Sequence, residues 1–232
     1  MPPRCLRLLS VSLDNYIYRG DVFLTLNPEH LHEKGRRHYE RTYGEKKQSA
    51  NAAKGPRIDK RDDEINERKT FGNWEMDSVM GCQEQETQRA LLVLTERLTR
   101  EGLLMLLPDH TAASVVRALN SLERRFGADF YKIFKTITVD NGCEFQDYDG
   151  MEKAKRRKGK RTTVYYCHAY APHERGSNEN MNRLIRRFFP KGTSFDDVTI
   201  ADVQAAQEWI NNYPRKILGW STAQELFTAQ TG

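Results

Sequence analysis

Three acidic residues stand where they could do chemistry together. Asp77 sits in the apolar stretch Trp74-Glu-Met-Asp-Ser, Asp140 follows the apolar run Lys135-Thr-Ile-Thr-Val, and Glu179 opens an amphipathic segment. They are far apart in the chain, so only a fold could bring them into one site. Carboxylates so gathered suit hard divalent cations. Mg²⁺ takes oxygen ligands and binds through one or two carboxylates plus substrate phosphate. Two such ions about 3.5–4 Å apart can neutralise both the attacking and the leaving oxygen of an in-line displacement at phosphorus. Three carboxylates on rigid elements would therefore be a sufficient protein contribution to cutting and joining phosphodiesters. Each residue also has a plain structural role open to it. Asp140-Asn-Gly is a common Asx-turn sequence, Asp77 could face solvent from a strand, and Glu179 could be a first-turn glutamate favoured by the helix dipole after a Ser177 cap.

The elements that must position these residues are legible from periodicity. Trp74–Met80 and Ala90–Thr95 read as strands separated by the turn Gly81-Cys-Gln-Glu-Gln-Glu, and Gly102–Leu107 as a third strand closing an antiparallel meander. Val115, Val116, Leu119 and Leu122 recur at helical spacing between Thr111 and Phe126, with Gly127 as C-cap. Lys135–Val139 and Thr163–Cys167 read as the fourth and fifth strands. Helices are expected over Asn178–Phe189, over Val198–Asn212 and near Ala223–Phe227. In the first of these, Met181, Leu184, Ile185 and Phe188 share one face, and Glu179, Asn182, Arg183 and Arg186 the other. The apolar face would dock on a sheet, leaving the carboxylate flanked by phosphate-seeking guanidiniums. Three strands, helix, strand, loop, strand, helix is the order of an α/β, ribonuclease-H-like mixed five-stranded sheet flanked by helices.

Composition sets the remaining bounds. The 232 residues are 38% hydrophobic and 30% charged, enough to bury one sizeable core. No apolar run approaches the ~20 residues a bilayer needs. The net charge of +5 and pI of 9.0 come from clumped basic residues, one clump over Lys34–Lys69 and another at Lys153-Ala-Lys-Arg-Arg-Lys-Gly-Lys-Arg161. Such clumps suit a polyanion, because phosphate contacts release condensed counterions, though a solvated loop has the same composition. Residues 1–70 read as a basic N-terminal arm or linker, and 71–232 as the folded catalytic domain. The four cysteines form no C-x-x-C pair, which fits reduced thiols in a cytosol. Cys167, His168 and His173 offer ligands without a second pair at zinc-site spacing.

The segments around the three acids also resemble a known family. Trp74-Glu-Met-Asp-Ser-Val-Met-Gly, Val139-Asp-Asn-Gly-Cys-Glu-Phe and Glu174-Arg-Gly-Ser-Asn-Glu-Asn resemble the three signature blocks of the IS-thirty family of bacterial insertion-sequence transposases. Leu184–Thr193 and Asn211–Phe227 are similar to that family's later segments. The likeness covers residues 71–228, with a weaker match at Asn15–Gly20 and the basic stretch beyond it.

The resemblance implies a DDE catalytic triad at Asp77, Asp140 and Glu179, holding two Mg²⁺ or Mn²⁺ ions. It implies double-stranded DNA as substrate, namely the element's terminal inverted repeats and a target, and a homo-oligomer acting on paired ends. The setting would be the bacterial cytoplasm and nucleoid. Arg175, Asn178, Arg183, Arg186 and Lys191, with Lys158 and Lys160 of the basic insert, are the candidates for DNA contacts. Asn73 and Met76 depart from the family pattern, and the interval from Asp140 to Glu179 is longer than usual by the basic insert. Members carry helix-turn-helix modules upstream of Tyr16-Ile-Tyr, so the chain reads as N-terminally truncated. Two alternatives follow: a catalytically idle DNA-binding fragment that modulates full-length enzyme, and a nuclease for RNA–DNA hybrids on the same fold.

Overall fold

A computed structural model describes residues 55–82, 86–168 and 176–232. Five strands, β1 (Asn73–Met80), β2 (Ala90–Glu96), β3 (Gly102–Leu107), β4 (Thr136–Val139) and β5 (Thr163–Tyr166), form one mixed sheet in the order β3-β2-β1-β4-β5. β1–β2 and β2–β3 are antiparallel, whereas β4 joins β1, and β5 joins β4, in parallel. This is the ribonuclease-H-like arrangement expected from the order of elements, and each of its five strands was anticipated to within two residues.

The sheet is covered on both faces. Alternation along β1 sends Trp74 and Met76 one way and Val79 the other. Trp74 and Met76 join a cluster with Val115, Leu119 and Leu122 of the long helix Ala112–Phe126. Thr111 caps that helix by accepting from Ser114 N, and Gly127 ends it at φ +58°. Val79 joins a second cluster, with Met181, Leu184 and Ile185 of the helix Gly176–Phe188 and Val203, Ala206 and Ile210 of Ile200–Asn211. The seven helices of the described residues are numbered α1 (Asp63–Asn66), α2 (Ala112–Phe126), α3 (Phe130–Ile133), α4 (Tyr148–Glu152), α5 (Gly176–Phe188), α6 (Ile200–Asn211) and α7 (Ala223–Thr231).

α6 also covers the edge of β3. Gln207 Oε1 accepts from Leu104 N at 2.8 Å and Asn211 Oδ1 from Gly102 N at 2.9 Å, which satisfies donors an edge strand would leave open.

Two expectations are revised. Phe188 was placed on the docking face of α5, but it is 38% exposed and packs edge-on against Trp209 at 5.3 Å. Phe189, one residue past the helix with its N still bonded to Ile185 O, is buried in its stead against Phe195. The stretch 55–70, read as part of the arm, packs on the β5 edge. Pro56 O accepts from Tyr166 N, Arg57 bridges to Tyr166, and Ile58 and Ile65 are buried. Two isoleucines in a polar stretch are too sparse to announce this from composition.

Candidate active site

β1 and β4 run side by side with Asn73 opposite Thr136, Trp74 opposite Ile137 and Glu75 opposite Thr138. The pairing ends there, two residues short of Asp77 on β1 and of Asp140, which directly follows β4. Both are half-buried. Asp77 Oδ1 accepts from Ser78 N at 3.0 Å, and Asp140 Oδ1 accepts from Gly142 N at 2.9 Å. The Asx-turn geometry thus exists at Asp140 alongside whatever else its carboxylate does.

Glu179 lies in the first turn of α5. Asn182, one turn later on the same face, donates from Nδ2 to Asp77 Oδ2 at 2.9 Å. That bond ties α5 to Asp77, and Glu179 on the same helix is exposed. The start of α5 is fixed from below. Glu75, fully buried two residues before Asp77, accepts from Asn178 N through Oε2 at 3.1 Å and from Arg97 Nη1 through Oε1 at 2.6 Å. Arg100, at φ +64° where the chain passes from β2 to β3, donates to Ser177 Oγ. Burial, reinforced by the nearby Arg68 charge, lowers the Arg100 pKa to about 10, so the guanidinium stays charged at neutral pH.

None of Glu75, Arg97, Arg100 and Asn182 was singled out as a holding residue. The available signal was Glu75 itself, a glutamate inside an otherwise apolar strand. The Asn178 side chain is buried, and its Oδ1 and Nδ2, with Asn182 Oδ1, have no hydrogen-bond partner.

On the opposite face of β1, Ser78 Oγ donates to Glu144 Oε1 at 2.5 Å and lies 2.8 Å from His110 Nε2, which is 3.1 Å from Glu144 Oε1. These contacts hold the turn after Asp140 against β1. The hydrogen bond with Glu144 raises the His110 pKa against the effect of burial. Burial pushes Glu144 up, but the bonds from His110 and Ser78 outweigh it and leave its pKa low.

The DNA-contact candidates separate into groups. Arg183 and Lys191 are exposed on and just beyond α5, and Arg183 donates to Asn180 Oδ1 at 2.8 Å. Arg186 spends its guanidinium on Met80 O and Phe189 O. Arg175 lies outside the described residues. The basic insert is anchored rather than free. Arg161, at 0% side-chain exposure, pairs with the equally buried Glu123 at 3.2 Å and donates to Met151 O and Gly150 O. Glu123 in turn accepts from Lys155 N and Arg156 N. Lys160 pairs with Glu152 at 2.5 Å, while Lys158 is exposed.

No family model matches the chain. It is 37% identical over 173 residues to the probable transposase for insertion-like sequence element IS1161 of Streptococcus salivarius, covering 75% of this chain and 46% of the relative. It is 32% identical to the transposase for IS4351 of Bacteroides fragilis, covering 86% and 57%. Over 216 residues it is 31% identical to transposase InsI for IS30C of Escherichia coli K12, covering 91% and 52%. The chain thus spans about half the length of these relatives. Among solved structures, the catalytic core domain of BIV integrase is similar at a TM-score of 0.47 and 20% identity, over 69% of this chain and 95% of that one. Over most of its length the chain is homologous to insertion-sequence transposases, those of the IS30 elements included.

Proposed function

We propose that this domain cuts and joins DNA strands at the ends of an insertion sequence, as a DDE transposase whose triad is Asp77, Asp140 and Glu179. What supports the reading is the parallel pairing of β1 and β4, the strands that lead to Asp77 and Asp140, with Asn182 of α5 bonded to Asp77 one turn from Glu179. It sets this reading ahead of an idle DNA-binding fragment.

The site suits hard divalent ions: its ligands are carboxylate oxygens, half-buried or exposed, on a strand, at a strand end and on a helix. Asp77 and Asp140 would hold the ions between them, and Glu179 would complete one shell. When bound, two Mg²⁺ or Mn²⁺ ions supply charge neutralisation on the attacking and leaving oxygens and activation of water or a 3′-hydroxyl. The protein supplies the rest by position. Glu75 and Arg100 fix the start of α5, and Asn182 and Ser78 N hold the two oxygens of Asp77. Arg183 and Lys191 would take backbone phosphates, with Lys158 on the basic insert. DNA is the partner, a homo-oligomer on paired ends the working form, and residues 71–232, with the segment 55–70 packed on β5, the catalytic domain.

Calorimetric titration of Mn²⁺ with duplex DNA present tests the site, comparing wild type with Asp140→Asn and Asp77→Asn. Binding that vanishes in both variants, with loss of metal-dependent nicking by about a thousandfold or more, is the expected result. Nicking unchanged in Asp77→Asn would sink the assignment.

A further inference from the structure

His110, Cys143 and Glu144 come together from two places in the chain. His110 lies in the turn before α2, while Cys143 and Glu144 open a single 3-10 turn, Cys143–Phe145, just after Asp140. Their ligand atoms lie within 4.8 Å of one another. We propose that His110 Nε2, Cys143 Sγ and the Glu144 carboxylate form a second metal site, for a borderline-soft divalent cation of the zinc class.

The donor set decides the class of ion. Imidazole, thiolate and carboxylate are all zinc ligands, and a thiolate in the set disfavours Mg²⁺, which seeks hard oxygen. The geometry lies close to what such a site needs. Zinc bonds of about 2.0–2.3 Å place tetrahedral ligand atoms roughly 3.3–3.8 Å apart. The His110–Glu144 pair stands at 3.1 Å, and rotation of the exposed Cys143 side chain brings in the thiol.

Rigidity and access are also present. Glu144 is 6% exposed and forms a fixed wall, whereas Cys143 and half-buried His110 leave an entry open to solvent. Ser78 Oγ, 2.5 Å from Glu144 Oε1, is placed as the outer donor that orients a metal-bound carboxylate. Gly142 makes the fold-back possible, because a Cβ there would lie 2.3 Å from Glu144 Oε2. The fourth position falls to water. An ion held here ties the turn carrying Asp140 to the loop before α2, on the face of β1 opposite Asp77. The proposal is independent of the strand-transfer reading.

The test is a Co²⁺ titration of the full chain, reduced with a phosphine and kept in excess Mg²⁺. Expected are tetrahedral d–d absorption and a thiolate-to-cobalt charge-transfer band that saturate together at one ion per chain and bleach on adding Zn²⁺. Cys143→Ser, a change at an exposed position, should abolish the charge-transfer band and weaken Co²⁺ binding by about tenfold or more. Cys82→Ser should keep both. Glu144→Gln should weaken binding while retaining the thiolate band. No charge-transfer band in the wild type, or one that survives in Cys143→Ser, would overturn the assignment.

Discussion

Replacing Glu75 by glutamine tests whether α5, and with it Glu179, is held in place by a buried charge. Glu75 is fully buried and Arg97 is 3% exposed. One carboxylate oxygen meets Arg97 Nη1 at 2.6 Å, and the other takes Asn178 N at 3.1 Å. Arg97 Nε has no hydrogen-bond partner, so the cation depends heavily on Glu75. Burial pulls the Arg97 pKa down, and the Glu75 charge opposes that pull. Glutamine keeps the volume and removes the charge. Whichever way its amide turns, an NH₂ group confronts a donor. Removing one partner of a buried ion pair costs about 3–5 kcal/mol, a large share of the ~5–15 kcal/mol that stabilises a domain. Urea unfolding followed by tryptophan fluorescence should read this loss, since fully buried Trp74 is the adjacent residue. The double variant Glu75→Gln/Arg97→Met removes both charges and should recover most of the stability, because apolar replacement of a whole buried pair is close to neutral. A single variant costing less than about 1 kcal/mol, or a double variant no more stable than the single, would refute the reasoning.

Asn182→Ala removes the bond to Asp77 Oδ2 without touching a carboxylate. Divalent-ion affinity in calorimetry should fall by about 10–100-fold, with the unfolding midpoint little changed. Glu101 gives a pH signature. Burial, opposed by the Arg215 charge, raises its pKa from 4.5 to about 7. Its contribution to stability is therefore complete below pH 4.5 and is lost as pH rises through 7. Glu101→Gln keeps the acceptor for Asn211 Nδ2 and should be the more stable protein at pH 8, by up to roughly 3 kcal/mol. That advantage should vanish near pH 4 in thermal melts. Lys158→Ala should lower the salt slope of DNA binding by about one, and Lys160→Ala should lower it less, since Lys160 is already paired with Glu152.

The sequence by itself determined the frame. Period-two and helical patterns reflect which faces must leave water, so the five strands, α2, α5 and α6 could be placed from local residues. The order of those elements specified the sheet. Asp77, Asp140 and Glu179 were marked by where they fall on those elements, at a strand centre, a strand end and a helix start. Other features depended on partners far away in the chain. Glu75 looks like a misplaced charge until Arg97 is seen across the β1–β2 pairing. Asn182 is an ordinary helix residue until α5 crosses Asp77, and the basic insert looks free until Glu123 of α2 receives its backbone and Arg161. Ser78, Cys143 and Glu144 fall inside the signature blocks, but no ligand spacing links them to His110, and the turn after Asp140 makes them neighbours. Apolar periodicity records burial one element at a time, whereas a buried charge or a ligand set is a statement about pairs, and pairs exist only once the chain has closed on itself.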